Sequence, residues 1–452
     1  MEVLGALITE KCDAKLWDLL KASRGGMTFS HLFFADDLVL FAKADRKNCL
    51  VERDVLDSFF SLLGQKVSIA KSRVFFSFNV STETKVDLCK ILEFRSTPTL
   101  GKYLGFPMKH SGMSQDFGFI VERIQSRLVG WKANLLSFVG WFVLTQSVIT
   151  TVPNYAMQCV ALLTNLHSVD KLSQNFLWGS IDNKKKLHMV SWKKITKPKR
   201  EGGLGIHAAK AKNIAFLAKL NWRLKTEMSS LWAKVLNHKN RVDRRPTNAH
   251  LELRTCSNTW SMIRKGKVVF KWGSKWVVGR DSQLSLWYDK WLDKGPLRSL
   301  ISSLLSRGEE NIRLKEIANF SGWNWQNISF SLLAQLLSVV KATPISFFAL
   351  YEDHLTWYSS PSGAFELKEA YRLVGIEGED NQASPFVGEW IWRTISILKV
   401  KCFLWQCYHN SIPVQATLAY RGMDISPSCL ICNGAPKTII HVLRDCPFAK
   451  WF

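Results

Sequence analysis

The chain has 452 residues, 47% of them hydrophobic and 22% charged, and its 61 Lys and Arg against 37 Asp and Glu give a formal net charge of +24. That apolar content excludes a disordered tail, and the length suits two to four folding units of ~100–200 residues each. So large a basic excess implies a polyanionic partner, with nucleic acid ahead of an anionic membrane surface. Taken in order, Val3, Leu4, Leu7 and Ile8, then Leu16, Leu19 and Leu20, recur at helical spacing and predict a helix over Met1–Lys21. No N-cap residue opens it, so it reads as a helix cut rather than begun. Gly25-Gly26 breaks the pattern, and two strands are expected, Met27–Phe34 and Leu38–Ala42, turning at Ala35-Asp36-Asp37. Leu50–Leu63 predicts an amphipathic helix ended by Gly64, and Val67–Ile69 and Val74–Phe78 read as extended. Val121, Ile124, Leu128, Trp131 and Leu135 form a helical stripe with Arg123, Arg127 and Lys132 off it. Ala133–Val169 holds no charged residue, but its scattered Asn, Gln, Ser and Thr and its Pro153 argue for a buried helix pair broken at the proline rather than a membrane span. Lys184–Arg200 carries eight basic residues and no acidic one, and Glu201–Gly205 reads as a flexible hinge. Beyond it, Ala208–Lys225 predicts a helix, Trp272, Trp276, Trp287 and Trp291 mark extended pieces, and Asn311–Val340 reads as helical. Leu355–Phe365 suits a hairpin turning at Pro361-Ser362-Gly363, and Trp390–Tyr408 a Trp-rich helix.

At the first turn two adjacent carboxylates, Asp36 and Asp37, sit between the apolar runs His31–Phe34 and Leu38–Phe41. Beside buried strands such a pair is costly unless a cation binds, and the divalent ions that clamp the oxygens in phosphoryl transfer are natural occupants. A plain polar turn is the alternative, because Asp is common in turns. His31–Phe41, with Phe34-Ala35-Asp36-Asp37 at its tip, resembles the catalytic hairpin of LINE-type (non-LTR) retroelement reverse transcriptases, plant ones especially. Gly64–Ser72 is similar to the next palm motif of that family, which implies that Lys71 lies near the incoming nucleotide. Lys102–Phe106 is similar to the primer-grip turn, implying nucleic-acid contacts at Tyr103 and Gly105. The Val121–Leu135 stripe and Leu136–Tyr155 are similar to the thumb and its connector, implying backbone contacts at Arg123, Arg127 and Lys132. Trp141 departs from the family, which usually has a basic residue after the preceding glycine.

In that family the hairpin acids act with a further aspartate on an earlier strand. Met1–Leu4 resembles the middle of the helix just before the hairpin, so the expectation is that this strand has no counterpart here. Adjacent residues of a strand point to opposite faces, so at most one of Asp36 and Asp37 coordinates directly, and a metal held by one carboxylate is held weakly. A chain that does not polymerise DNA alone is expected, with Mg²⁺ bound only where an upstream or partner segment completes the site.

Seven of the ten cysteines are scattered, and three crowd the C-terminal region. With no basic n-region or long apolar stretch at the start, a secreted disulfide framework is not expected, and a reducing nuclear or cytoplasmic setting is. Cys429-x2-Cys432-x8-His441-x4-Cys446 supplies four soft or borderline ligands, a knuckle and a pair spaced for one helical turn, with Asn433-Gly434 as the turn. Four filled positions predict a structural, closed Zn²⁺ site. Trp390–Trp392, Lys399–Trp405, Arg421-Gly422 and Cys446–Ala449 around it resemble the zinc-binding domain of LINE-type reverse transcriptases, and Asp353–Trp357, Ser362–Phe365 and Lys368–Tyr371 resemble its entry elements. The resemblance implies an α+β fold: the C-terminal part of a polymerase palm with a helical thumb, then a mostly helical basic connector and a small zinc-binding module. The implied boundaries are 1–110, 111–170, 171–345 and 346–452. It also implies that ribonuclease H and endonuclease activities come from elsewhere.

Lys193, Lys194, Lys197, Lys199 and Arg200 suit phosphate contacts, which position a nucleic acid, RNA or DNA, without reading its sequence. Most of the 19 Trp are expected in cores, with Trp192 the one placed among basic residues for base stacking. The expected function is thus a remnant of an RNA-directed DNA polymerase that retains zinc-dependent nucleic-acid binding. The alternatives are an active polymerase completed by a missing segment and a structural or protein-interaction module.

Overall fold

The computed structural model describes residues 1–452 apart from 23–24, 66, 100, 108–116, 130–135, 161, 163–165, 181–185, 241–257, 280, 320–321, 327, 344–351, 377–385 and 452. Lys132, Trp131, Lys184 and Lys185 therefore lie outside the described residues. The chain divides into two compact units, Met1–Asp116 with Arg223–Ser261, and Phe117–Trp222 with Met262–Phe452.

In the first unit the opening helix spans Glu2–Asp13, shorter than its apolar pattern suggested. Lys15 turns into the left-handed region, and Trp17 leaves the helical register to bury itself at 2% exposure and donate its indole N–H to the Phe41 carbonyl at 3.0 Å. Leu20–Lys21 then pairs with Thr28–Phe29. The strand expected over Met27–Phe34 is thus split, and His31–Phe34 pairs with Asp37–Leu40. Phe34 faces Asp37 across the ladder, so only Ala35 and Asp36 form the loop, with Ala35 at a φ of 51°. The next helix, Arg46–Leu63, starts four residues before the apolar pattern because Asp45 caps it, accepting the Asn48 N–H at 2.9 Å. It ends at Gly64, whose φ of 67° suits glycine alone among ordinary residues without strain. Leu4, Ile8, Val55, Leu56 and Phe59 form a core against which Phe33, Leu38 and Leu40 of the hairpin pack. The extended stretch expected at Val74–Phe78 reduces to Arg73–Val74, which pairs in parallel with Arg95–Ser96. Lys102–Tyr103 and Phe106–Pro107 form a two-residue-loop hairpin, with Leu104 and Gly105 at φ 52° and 76°.

In the second unit the charge-free stretch becomes a helix over Phe138–Leu144 that continues as a π-turn to Ile149, with Pro153 capping a short helix at Asn154–Met157. Among the described residues no helix is long and apolar enough to cross a membrane. The helix Ala209–Thr226 contributes its residues 209–222 to this unit. Its fully buried Asn213 accepts the Leu162 N–H and donates to the carbonyls of Met157 and Val160. Glu201–Gly205, expected as a hinge, is a packed corner: a Cβ on Gly203 would lie 1.9 Å from the Lys197 carbonyl oxygen, Leu204 is fully buried, and the Trp405 indole donates to the Gly202 carbonyl at 2.8 Å.

Trp272 belongs to a helix, Asn258–Gly273, rather than an extended piece, and the strand Ser274–Val277 with Trp276 follows it directly. That strand pairs with His354–Trp357. Leu355–Phe365 is therefore not a hairpin: its first half finds a partner some 80 residues upstream, and the Trp357 N–H turns back only to the Gly363 carbonyl. Trp357 seals the arrangement, fully buried against Trp222 and Phe365. Residues 278–340 wrap a second core around Trp287, Trp291 and Leu314, built from turns, the short helix Leu314–Ile317 and the helix Ala334–Ala342 rather than one long helix. Trp390–Tyr408 breaks into Trp390–Arg393 and Leu398–Tyr408, and Cys402 and Trp405 of the latter share a core with Phe142, Ile195 and Leu204.

Candidate metal centre

Cys429, Cys432, His441 and Cys446 converge, their ligand atoms all within 4.8 Å of one another. Local sequence explains the convergence. Asn433, not the glycine after it, takes the left-handed conformation at φ 50°, and its N–H donates to the Cys429 carbonyl at 2.8 Å, folding the knuckle so that two sulfurs face inward. Cys429 N–H donates to the Ala435 carbonyl at 2.9 Å, and a bridge between Ser428 and Pro436 holds the knuckle's base. The second pair rides on the π-turn His441–Asp445; the Thr438 hydroxyl accepts the His441 N–H at 3.1 Å, and Cys446 N–H donates to the His441 carbonyl at 2.8 Å. Thr438 was not singled out in the sequence; its position three residues before His441 is the signature of a helix-start cap and was there to be found.

Cys429, His441 and Cys446 are buried, and Cys432 is half-buried. The backbone N–H groups of Cys432 and Ile431 aim at the Cys429 sulfur and pull its thiol down to about 6, the thiolate form that binds metal. The Gly434 N–H favours the Cys432 thiolate as well, but burial and the adjoining Cys429 and Cys446 sulfurs outweigh it and leave that thiol raised. One ionised sulfur therefore opposes the next, a conflict that a divalent cation removes. The Cys432 sulfur lies 3.3 Å from His441 Nε2. A tetrahedral Zn²⁺ site with bonds of ~2.0–2.3 Å has ligand–ligand edges of roughly 3.3–3.8 Å, so the cage needs an inward shift of only about an ångström. The donor set fits zinc, and four protein ligands would leave a tetrahedral ion no open position, the pattern of structural rather than catalytic sites.

Residues 365–452 match the family described as zinc-binding in reverse transcriptase. The chain is 32% identical over 348 residues to a putative ribonuclease H protein of Arabidopsis thaliana, an alignment covering 75% of this chain and 56% of that protein. It is also 29% identical over 157 residues to an uncharacterized mitochondrial protein of the same plant, covering 33% of this chain and 97% of the relative. The chain thus spans little more than half the length of the larger relative. These likenesses make it a reverse-transcriptase-related protein with a zinc-binding segment.

Among the described residues, none of the other expected site residues joins this cage. Asp36 and Asp37 are both exposed at the hairpin tip, and among the described residues no further His, Cys, Asp or Glu joins them in a metal-binding cluster. Lys71 is exposed in the turn where its N–H donates to the Ser68 carbonyl. Tyr103 is half-buried next to the exposed Gly105, and Arg123 and Arg127 share the outer face of the helix Gly118–Val129. Lys193, Lys194, Lys197, Lys199 and Arg200 gather within one turn-rich segment, with Lys199 over the Trp392 ring at 4.7 Å and Arg200 beside Glu201. Trp192 is half-buried against the Phe142–Trp405 core, which corrects its expected role as an open stacking platform. The basic residues beyond that segment were the larger omission. Residues 151–300 hold 29 Lys and Arg against 9 Asp and Glu, a net +20 of the chain's +24, whereas residues 351–452 are close to neutral.

Proposed function

We propose that the chain descends from the polymerase of a LINE-type retroelement, that it does not synthesise DNA alone, and that it binds nucleic acid through its basic middle region while zinc holds the C-terminal module folded. The observation that carries this reading is the four-ligand cage inside a segment that matches a reverse-transcriptase zinc-binding family. The likeness of the His31–Leu40 hairpin and the Lys102–Pro107 turn to palm elements supports the parentage. That no third ligand clusters with the exposed acids among the described residues supports the reading of no synthesis alone, because two-metal chemistry needs carboxylates converging on both ions.

The test is a titration of labelled RNA and DNA oligonucleotides against the full chain at two salt concentrations, with zinc and after chelation, alongside primer extension on an RNA template with Mg²⁺ or Mn²⁺. Binding that falls steeply with salt, with no extension product, is the expected result. Extension abolished by Asp36→Ala would show a working polymerase site, and salt-insensitive or absent binding would return the chain to a structural or protein-interaction role.

A further inference from the structure

The helix Asn258–Gly273 carries four basic residues and no acidic one, and none of them was a candidate for nucleic-acid contact from the sequence. Its orientation is fixed by a close approach. A Cβ on Gly266 would sit 2.3 Å from the Leu217 carbonyl carbon, so the helix lies backbone to backbone on Ala209–Thr226, with Ile263 and Val269 buried on the same side. At 100° per residue, the opposite side must present Lys265 and Trp272 along one edge, seven residues apart, Arg264 and Lys271 along the other, and Val268 between them. The exposures agree: Lys265 and Lys271 are exposed, Val268 is 43% and Trp272 42% exposed. The Lys290 ammonium donates to the carbonyls of Lys271 at 3.1 Å and Trp272 at 2.6 Å, closing the helix end at the residue that bears the indole.

We propose that this face binds single-stranded nucleic acid, with Trp272 stacking on a base and Lys265 and Lys271 contacting flanking phosphates. The proposal rests on the nucleic-acid-binding reading above and names a surface for it. Charge complementarity selects the partner: the face is cationic, lies within the region holding +20 of the net charge, and pairs its cations with an open aromatic. A single strand uses both features, because every base offers a π-face to an indole, whereas a duplex keeps its bases stacked on one another.

The experiment compares the full-length wild-type chain with Lys265→Ala/Lys271→Ala, Trp272→Ala and Trp272→Phe by fluorescence anisotropy, using a labelled 20-nucleotide oligo-dT and a 20-base-pair duplex over a salt series. The double lysine variant should flatten the log–log salt slope on oligo-dT by about 1.4, at ~0.7 per phosphate released. Trp272→Ala should weaken oligo-dT binding roughly 5- to 150-fold and spare the duplex, and Trp272→Phe should retain most of the affinity. Lys265 and Lys271 are exposed, so thermal melts of the double lysine variant should be unchanged; Trp272 is partly covered, so its variants are read by the ratio of oligo-dT to duplex affinity, which a general loss of stability does not move. Wild-type binding with unaltered slope and affinity in the variants overturns this face while leaving the nucleic-acid reading intact. Equal losses on oligo-dT and duplex from Trp272→Ala overturn stacking, and a wild-type chain that binds neither probe overturns both readings.

Discussion

Individual residues show where burial has been bought against chemical preference. Glu52 is only 9% exposed on the helix Arg46–Leu63, and burial raises its carboxyl to about 7. The folded state therefore holds this proton more tightly than the unfolded chain, whose Glu titrates near 4.5. Stability should fall as pH rises from about 4.5 to about 7 and stay reduced above that, by on the order of 3 kcal/mol from this group. Glu52→Gln should flatten that slope and raise the melting temperature at pH 8 while leaving the value at pH 4 nearly unchanged; an equal gain at both pH values would exclude the linkage. Asn213 is the opposite case, a buried polar side chain whose partners are all satisfied. Asn213→Leu should cost about 2–4 kcal/mol in denaturant unfolding, because it strands one backbone N–H and two carbonyls. A loss below about 0.5 kcal/mol would mean that the backbone groups of Met157, Val160 and Leu162 find other partners.

At the scale of elements, the local signals that worked were those with local causes. Gly64 ends its helix where the sequence places it, and the knuckle closes around Cys429 and Cys432 because its turn needs only nearby residues. The failures were elements whose partners lie far along the chain. His354–Trp357 reads as half of a hairpin until Ser274–Val277 takes its edge, and Glu201–Gly205 reads as a hinge until Trp405 and His409 donate to the Gly202 carbonyl. Zinc therefore secures only the last part of the 346–452 module. The helix Leu398–Tyr408 and the strand His354–Trp357 are secured by cores outside the cage, so chelation should release only the segment after Ser411. Hydrogen exchange followed by mass spectrometry, with EDTA or in Cys429→Ser/Cys432→Ser, should show protection lost across residues 412–451 and kept at residues 398–408. Protection unchanged throughout would remove the metal from the account of the fold.

For the molecule as a whole, charge and fold are distributed differently. The zinc-binding segment is the part with a clear family match, yet residues 351–452 are near neutral, and the basic excess sits upstream in residues 151–300. Substituting Lys437 and Lys450 together by Ala should therefore leave the salt dependence of oligonucleotide binding nearly unchanged. A slope reduced by more than about 1 would place the grip on the zinc module instead. The sequence by itself determined the ligand set, the net charge and the turn-bounded helices, because spacing, composition and caps act over a few residues. Only the tertiary structure decided which basic residues stand clear of the cores, that the Gly203 corner is tightly packed, and that Trp272 faces outward while Trp357 is sealed in. Those outcomes depend on which surfaces meet, and a glycine such as Gly266, silent in the sequence, sets the direction of a whole helix through its close approach to the Leu217–Ala218 backbone.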